Sequence, residues 1–136
     1  MSEYSFDLKI PFAIEAESIM KTAEAIDPAE FEKAVKALAK AERIAASGCG
    51  HSGIACRHFA HLMCCIERPA RFISPAEAVH GATGFLQEGD VMVFASRGGK
   101  TAELLPIMEI CKTMSQQMKN CKQVLLHYLK LQNKIN

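Results

Sequence analysis

The chain has 136 residues, 49% of them hydrophobic, which suits one domain with a real core and leaves no room for two. Its 16 basic and 15 acidic residues leave a formal net charge of +1, so no global field favours nucleic acid as a partner. No apolar run reaches the ~18 residues that span a bilayer, and residues 1–7 lack the basic-then-apolar layout of a leader, so a cytoplasmic protein without membrane contact is expected.

Phe12, Ile14, Ile19, Met20, Ala23 and Ile26 recur at spacings that mix threes and fours, which predicts a first helix over 11–26 with one apolar face. Asp27-Pro28-Ala29-Glu30 reads as an N-cap, a proline at the first helical position and a glutamate placed to reach back. A second helix follows, with Phe31, Val35, Leu38 and Ala39 as its apolar stripe. Residues 43–47 form a short buried strand candidate, which leads into the turn Gly48-Cys49-Gly50-His51-Ser52-Gly53. A helix from about 53 to 66 then places Ile54, Phe59, Leu62, Met63 and Ile66 inward.

Arg71-Phe72-Ile73 reads as a second strand, 75–84 as an irregular polar loop or short helix, and Gly89-Asp90 as a turn. Val91 to Ala95 is a third, fully apolar strand that runs into Ser96-Arg97-Gly98-Gly99-Lys100-Thr101 and a helix over about 101–114. Strands alternating with helices imply an α/β fold, a three-layer αβα arrangement on a parallel sheet, with ligands outside the carboxyl ends of the strands. The six cysteines make no C-x-x-C pair and mostly lie in apolar stretches, so buried reduced thiols are expected rather than disulfides or zinc.

Two strands that each run into a glycine- and hydroxyl-rich turn present bare backbone N–H groups and the positive end of a helix dipole, which suits an anion. Gly48, Gly50 and Gly53 match the G-x-G-x-x-G spacing of dinucleotide sites. Such a site also wants an acidic residue about 20 positions on to hold the ribose. The second strand instead ends Phe72-Ile73-Ser74-Pro75, with Glu77 only later in the loop, so a nicotinamide-binding domain stays a minor alternative.

The first turn with Ser52, then Pro75-Ala76-Glu77-Ala78-Val79-His80-Gly81, then Gly89-Asp90, then Ser96 to Leu104 form an ordered series over about residues 30–112. This series resembles the sugar isomerase (SIS) domain family, and the Pro-x-Glu-Ala-x-His-Gly stretch is most similar to its arabinose 5-phosphate isomerase and phosphohexuloisomerase branch. The resemblance implies a five-stranded parallel sheet of flavodoxin-like order that binds phosphosugars across the strand ends. It makes Ser52, Ser96 and Thr101 phosphate or sugar-hydroxyl contacts and Glu103 the glutamate that helps move a proton. The backbone of Gly48, Gly50, Gly53, Gly98 and Gly99 would complete the cradle, with Lys100 adding charge and Glu77 touching substrate or a neighbouring subunit. His51 or His80 would polarise the carbonyl oxygen or aid ring opening. No cofactor and no metal is expected, although Glu77, His80 and His51 could approach one another. His58, His61 and His127 read as surface residues.

The chain departs from the family pattern at three places. His51 stands where isomerase relatives place a lysine, and Gly98 where the family commonly has a second serine. After about Lys112 the expected glycine, strand and later acidic and histidine residues are missing, so roughly three strands stand where five are implied. A divergent ending, a shifted reading frame or a truncation would each produce this. Residues 1–114 therefore read as the phosphosugar unit, with helices over 11–42 and a core over 43–114, and 115–136 as a divergent helical tail. The function expected is aldose–ketose isomerisation of a sugar phosphate, or phosphosugar binding without turnover. A homo-oligomer, dimer or tetramer, is also expected, with the N-terminal helices and the tail covering a short sheet's exposed edges by exchange.

Overall fold

Helix α1, Lys9–Ala25, opens the computed structural model, which describes residues 7–117. Asp27 then caps helix α2, Pro28–Lys40: its Oδ1 accepts from the N–H groups of Ala29 at 2.8 Å and Glu30 at 3.1 Å, while Pro28 occupies the first turn. Strand β1, Ile44–Gly48, runs into helix α3, Gly50–Cys65, which returns the chain to strand β2, Ala70–Phe72. A short helix α4, Pro75–Ala78, and a 3-10 turn, Ala82–Phe85, lead to strand β3, Val91–Ala95, and helix α5, Leu105–Gln117, follows. Helix α5 thus runs through position 114, where the sequence suggested the unit would end, while the tail with Cys121 and His127 lies outside the described residues, as do residues 1–6.

The three strands are parallel in the order β2-β1-β3, the first three of the flavodoxin-like series. Strand β1 is buried along its whole length, because both faces of the sheet are covered. Ala45 and Met92 pack with Ile73, Leu104 and Ile107 on one side, while Ile44, Ala46, Val91 and Val93 pack with Cys56 on the other. This is the three-layer αβα arrangement the alternating elements imply.

The register is set at the amino ends of the strands. Arg43 Nε and Nη2 donate to the two carboxylate oxygens of Asp90 at 3.1 and 2.8 Å, and Asp90 also accepts the Gln87 N–H at 2.8 Å. With the Asp90 side chain only 2% exposed, this forked pair clamps the entries of β1 and β3, so that Ile44 pairs with Val91 and Gly48 with Ala95. Arg68 fastens α2 to the same body by donating from Nη2 to the carbonyls of Leu38, Ala39 and Ala41 at that helix end.

Four expectations need correction. Helix α3 begins at Gly50, not near Gly53, and buries Gly53, Cys56 and Ala60 with Phe59 and Met63 packed beside them, whereas Ile54, Leu62 and Ile66 face outward. Small residues win the inner face because the helix lies close to β1. Helix α1 buries no residue, so its apolar stripe does not cover this chain's core. Of the cysteines, Cys56 and Cys111 are buried, but Cys64 and Cys65 are exposed at the end of α3; none of the five described thiols is in a disulfide. Helix α5 starts at Leu105, not Thr101, after a separate turn closed by the Leu104 N–H to the Thr101 carbonyl at 3.0 Å. Among the described residues no helix is long and apolar enough to cross a membrane.

Candidate functional site

Because Gly48 and Ala95 are register partners on neighbouring parallel strands, the two glycine turns leave the sheet side by side. The chain crosses from β1 to β2 on one side and from β2 past β1 to β3 on the other, so the crevice between them is a topological switch point, where open α/β sheets place ligands.

The first turn is fixed by contact between backbones. A Cβ on Gly53 would lie 2.6 Å from the Gly48 carbonyl oxygen, and one on Gly48 would lie 2.9 Å from the Ser52 carbonyl. Gly50 adopts φ +53°, a left-handed conformation that lets the helix start directly off the strand. Cys49 occupies the N-cap position without a side-chain capping bond. The leading N–H groups of α3 lack intrahelical acceptors and carry the positive end of its dipole. His51 is exposed and Ser52 half-buried in that first turn.

The second turn is organised by its hydroxyls. Ser96 Oγ and Thr101 Oγ1 stand 2.7 Å apart, and Ser96 Oγ accepts the Gly99 N–H at 2.9 Å. Gly99 takes φ +58°, which tightens the loop around the pair. Arg97, Gly98, Lys100 and Glu103 are exposed on the same loop, so two cations stand at the rim rather than in the floor. Ser52, Ser96 and Thr101 are half-buried, as befits groups that can meet a ligand without losing water altogether.

Cys49 links the two turns. Burial pushes its thiol above the usual range, and the Glu103 carboxylate raises it further by disfavouring a second negative charge nearby. The charge of Glu103 therefore acts on the start of α3 from the other turn. Since the thiolate is the nucleophile, alkylation of Cys49 by iodoacetamide should reach half its limiting rate at a higher pH than a free thiol. Glu103→Gln should move that midpoint down; an unchanged midpoint, read by mass spectrometry of the Cys49 peptide, would separate the two groups.

The third loop contributes less. Glu77 and His80 are both exposed, and their link is the His80 backbone N–H to the Glu77 carbonyl at 3.0 Å. With His51 they do not gather into a three-ligand cluster, and no other group of His, Cys, Asp and Glu does so among the described residues. Thr83 Oγ1, buried, donates to the Ala78 carbonyl at 3.2 Å and pins the loop from inside. His58 and His61 are exposed on α3, as read from the sequence.

Ser47 is the residue that sequence reading passed over. It lies at the carboxyl end of β1, is 0% exposed, and its Oγ has no hydrogen-bond partner. By strand alternation it shares the face of Ala45, the side on which Cys49 also packs. A serine directly after the apolar run Ile44-Ala45-Ala46, still within the strand, is the available signal, since a buried hydroxyl is costly without a partner.

A three-layer αβα domain with two hydroxyl-bearing glycine turns at one switch point is the class these features define. The SIS domain model matches residues 37–119, and the chain belongs to that family. It is 30% identical over 105 residues to the arabinose 5-phosphate isomerase KdsD of Francisella tularensis, covering 74% of this chain and 32% of that protein. It is 36% identical over 76 residues to the arabinose 5-phosphate isomerase GutQ of Escherichia coli K12, covering 55% of this chain and 24% of that protein. Among solved structures, c3406 of E. coli CFT073, determined as a ligand complex, superposes with a TM-score of 0.63 at 26% identity, over 81% of this chain and 62% of that one. A putative sugar-phosphate isomerase from Listeria monocytogenes gives 0.64 at 35% identity over the same shares. The matches span about a third or less of the curated relatives' length.

Proposed function

We propose that the chain is a phosphosugar isomerase-type domain that holds a sugar phosphate across the β1/β3 crevice and interconverts aldose and ketose phosphates. The observation that carries this reading is the pairing of the Ser96 and Thr101 hydroxyls beside the start of α3, in a chain related to arabinose 5-phosphate isomerases. Ser52, Ser96 and Thr101, with the backbone of Gly48, Gly50, Gly53, Gly98 and Gly99, take the phosphate and sugar hydroxyls without needing full charge. Lys100 at the rim adds attraction, and Glu77 meets the far end of the sugar.

In the reaction Glu103 removes a proton from the hydroxyl-bearing carbon next to the carbonyl while His51 or His80 protonates the carbonyl oxygen; from the resulting enediol, Glu103 returns its proton to the former carbonyl carbon as the histidine takes back the proton of the neighbouring hydroxyl, whose oxygen becomes the new carbonyl. No atom is gained or lost. Holding the phosphate fixes the reacting carbons against the base, which accounts for much of such catalysis. Residues 1–114 act as the phosphosugar unit, in a cytoplasmic homo-oligomer, with 115–136 as an appendage.

A second reading, binding without turnover, is favoured by His51 and Gly98 standing where isomerase relatives carry lysine and serine. Thermal melting and product analysis with arabinose 5-phosphate, hexulose 6-phosphate and fructose 6-phosphate decide between them. A ligand at a hundred times its Kd stabilises by about 2.7 kcal/mol, a rise of several degrees in Tm. Stabilisation with conversion supports the isomerase; stabilisation without it supports the module. Stabilisation by NAD and by none of the sugar phosphates would overturn both.

A further inference from the structure

Helix α3 ends in a run of thiol and imidazole side chains that the sugar-phosphate site does not use. His58, His61, Cys64 and Cys65 lie in its last two turns, and all four are exposed. The two thiols face different ways. Cys64 Sγ donates to the Ala70 carbonyl of β2 at 3.2 Å, whereas Cys65 Sγ stands 3.7 Å from His61 Nε2, one turn back on the helix surface. His58, three residues before His61, lies on the same stripe.

The separation of Cys65 and His61 fits a metal ion. A tetrahedral ion of zinc's class, with sulfur at about 2.3 Å and nitrogen at about 2.0–2.1 Å, holds those two donors about 3.6 Å apart. The side chains already stand at nearly that distance, so binding asks for little rearrangement. A thiolate and an imidazole are borderline-soft donors that suit zinc or copper and not magnesium or calcium. The end of a helix also favours positive charge, through its unpaired carbonyls and the negative end of its dipole. No lysine or arginine stands in the last turn of α3. Of the flanking cations, Arg57 lies over the Phe72 ring at 4.1 Å and Arg68 donates to the carbonyls at the end of α2. No three His, Cys, Asp or Glu side chains gather among the described residues, so the protein supplies two donors and not a closed cage.

We propose that His61 and Cys65 form a two-donor clip for a divalent cation of zinc's class, with water in the remaining positions. Cys65 binds as the thiolate, its proton passing to solvent, and His61 binds through the Nε2 lone pair with its own proton on Nδ1. The ion joins adjacent turns of α3 and so stabilises the end of the helix. Because α3 is 16 residues long, this end lies roughly 20 Å from the glycine turns at its start. The clip goes beyond the sugar-phosphate reading and stands or falls without it.

Cobalt(II) titration of the full chain, reduced and stripped of metal, tests it, because ligation by a thiolate gives a charge-transfer band in the near ultraviolet. The wild type should develop that band, and zinc should displace it. His61→Ala and Cys65→Ser should each weaken binding at least about tenfold, since each removes one of the two protein donors. Cys64→Ser should bind as the wild type does, because its thiol is turned to the Ala70 carbonyl. Zinc should also raise the Tm of the wild type and leave that of Cys65→Ser where it was. All three positions are exposed, and circular dichroism checks that each variant keeps its helices. A wild type without the band, a band unchanged in His61→Ala or in Cys65→Ser, or an equal loss in Cys64→Ser would overturn the proposal.

Discussion

Glu103→Gln is expected to lower aldose–ketose conversion by about 10²–10⁴-fold, the usual contribution of a positioned acid or base, while sugar-phosphate binding persists. Glutamine keeps the shape and hydrogen-bonding reach of the side chain but cannot take a proton at neutral pH. Two features support the proposal: Glu103 lies on the turn that pairs Ser96 with Thr101, and its charge reaches Cys49 at the start of α3. The loss should fall on kcat with KM little changed, because the interaction removed is made in the transition state and not in the bound substrate. Conversion at the wild-type rate would remove Glu103 from the chemistry. Loss of the thermal shift along with turnover would assign it to binding.

Gly53→Ala is expected to destabilise the fold by roughly 1–3 kcal/mol, the range for forcing an extra methyl group into a well-packed site. The new Cβ would meet the Gly48 carbonyl oxygen at 2.6 Å, and both partners are backbone, so neither can rotate away. Relief requires α3 to move off β1, which also opens the turn proposed to hold phosphate. Chemical denaturation should therefore show a lower midpoint with an unchanged slope, and weaker sugar-phosphate stabilisation on top of it. Gly84→Ala is the control: nothing lies within 4 Å of its Cβ position, and its effect should stay within about 0.5 kcal/mol. Equal effects at the two positions would show that the strand–helix contact does not hold the turn.

Much of the fold could be read along the chain because its signals are local. Asp27 and Pro28 start α2 by cap chemistry, and the five apolar residues Val91 to Ala95 form β3 where expected. The helix faces were harder. Ile54, Leu62 and Ile66 look like core residues on an apolar scale, yet they are 65%, 46% and 63% exposed. The close approach of α3 to β1 admits only Gly53, Cys56 and Ala60, and that approach is dictated by Gly48 and Gly53, residues an apolar count overlooks. The same limit hid the state of α1, whose periodic face is real but finds no cover within its own chain.

The site divides along the same line. Ser52, Ser96, Thr101 and Glu103 were legible as residue types in two turns that each follow a strand, since hydroxyls and glycines at a strand–helix junction have a recognisable chemistry. Their neighbourhood was not, because it depends on Gly48 pairing with Ala95, a register anchored five residues earlier by Arg43 and Asp90. Ser47, with its unpartnered hydroxyl, and Cys49, under the charge of Glu103, gain meaning only from that juxtaposition.

By itself the sequence determined the order of elements, the parallel sheet, the family and the two glycine turns, because caps, periodicity and turn residues act over a few neighbouring positions. Only the tertiary structure decided which apolar faces are covered and how the turns meet. Those depend on register and close approach between segments some 50 residues apart in the chain, distances over which no local preference operates.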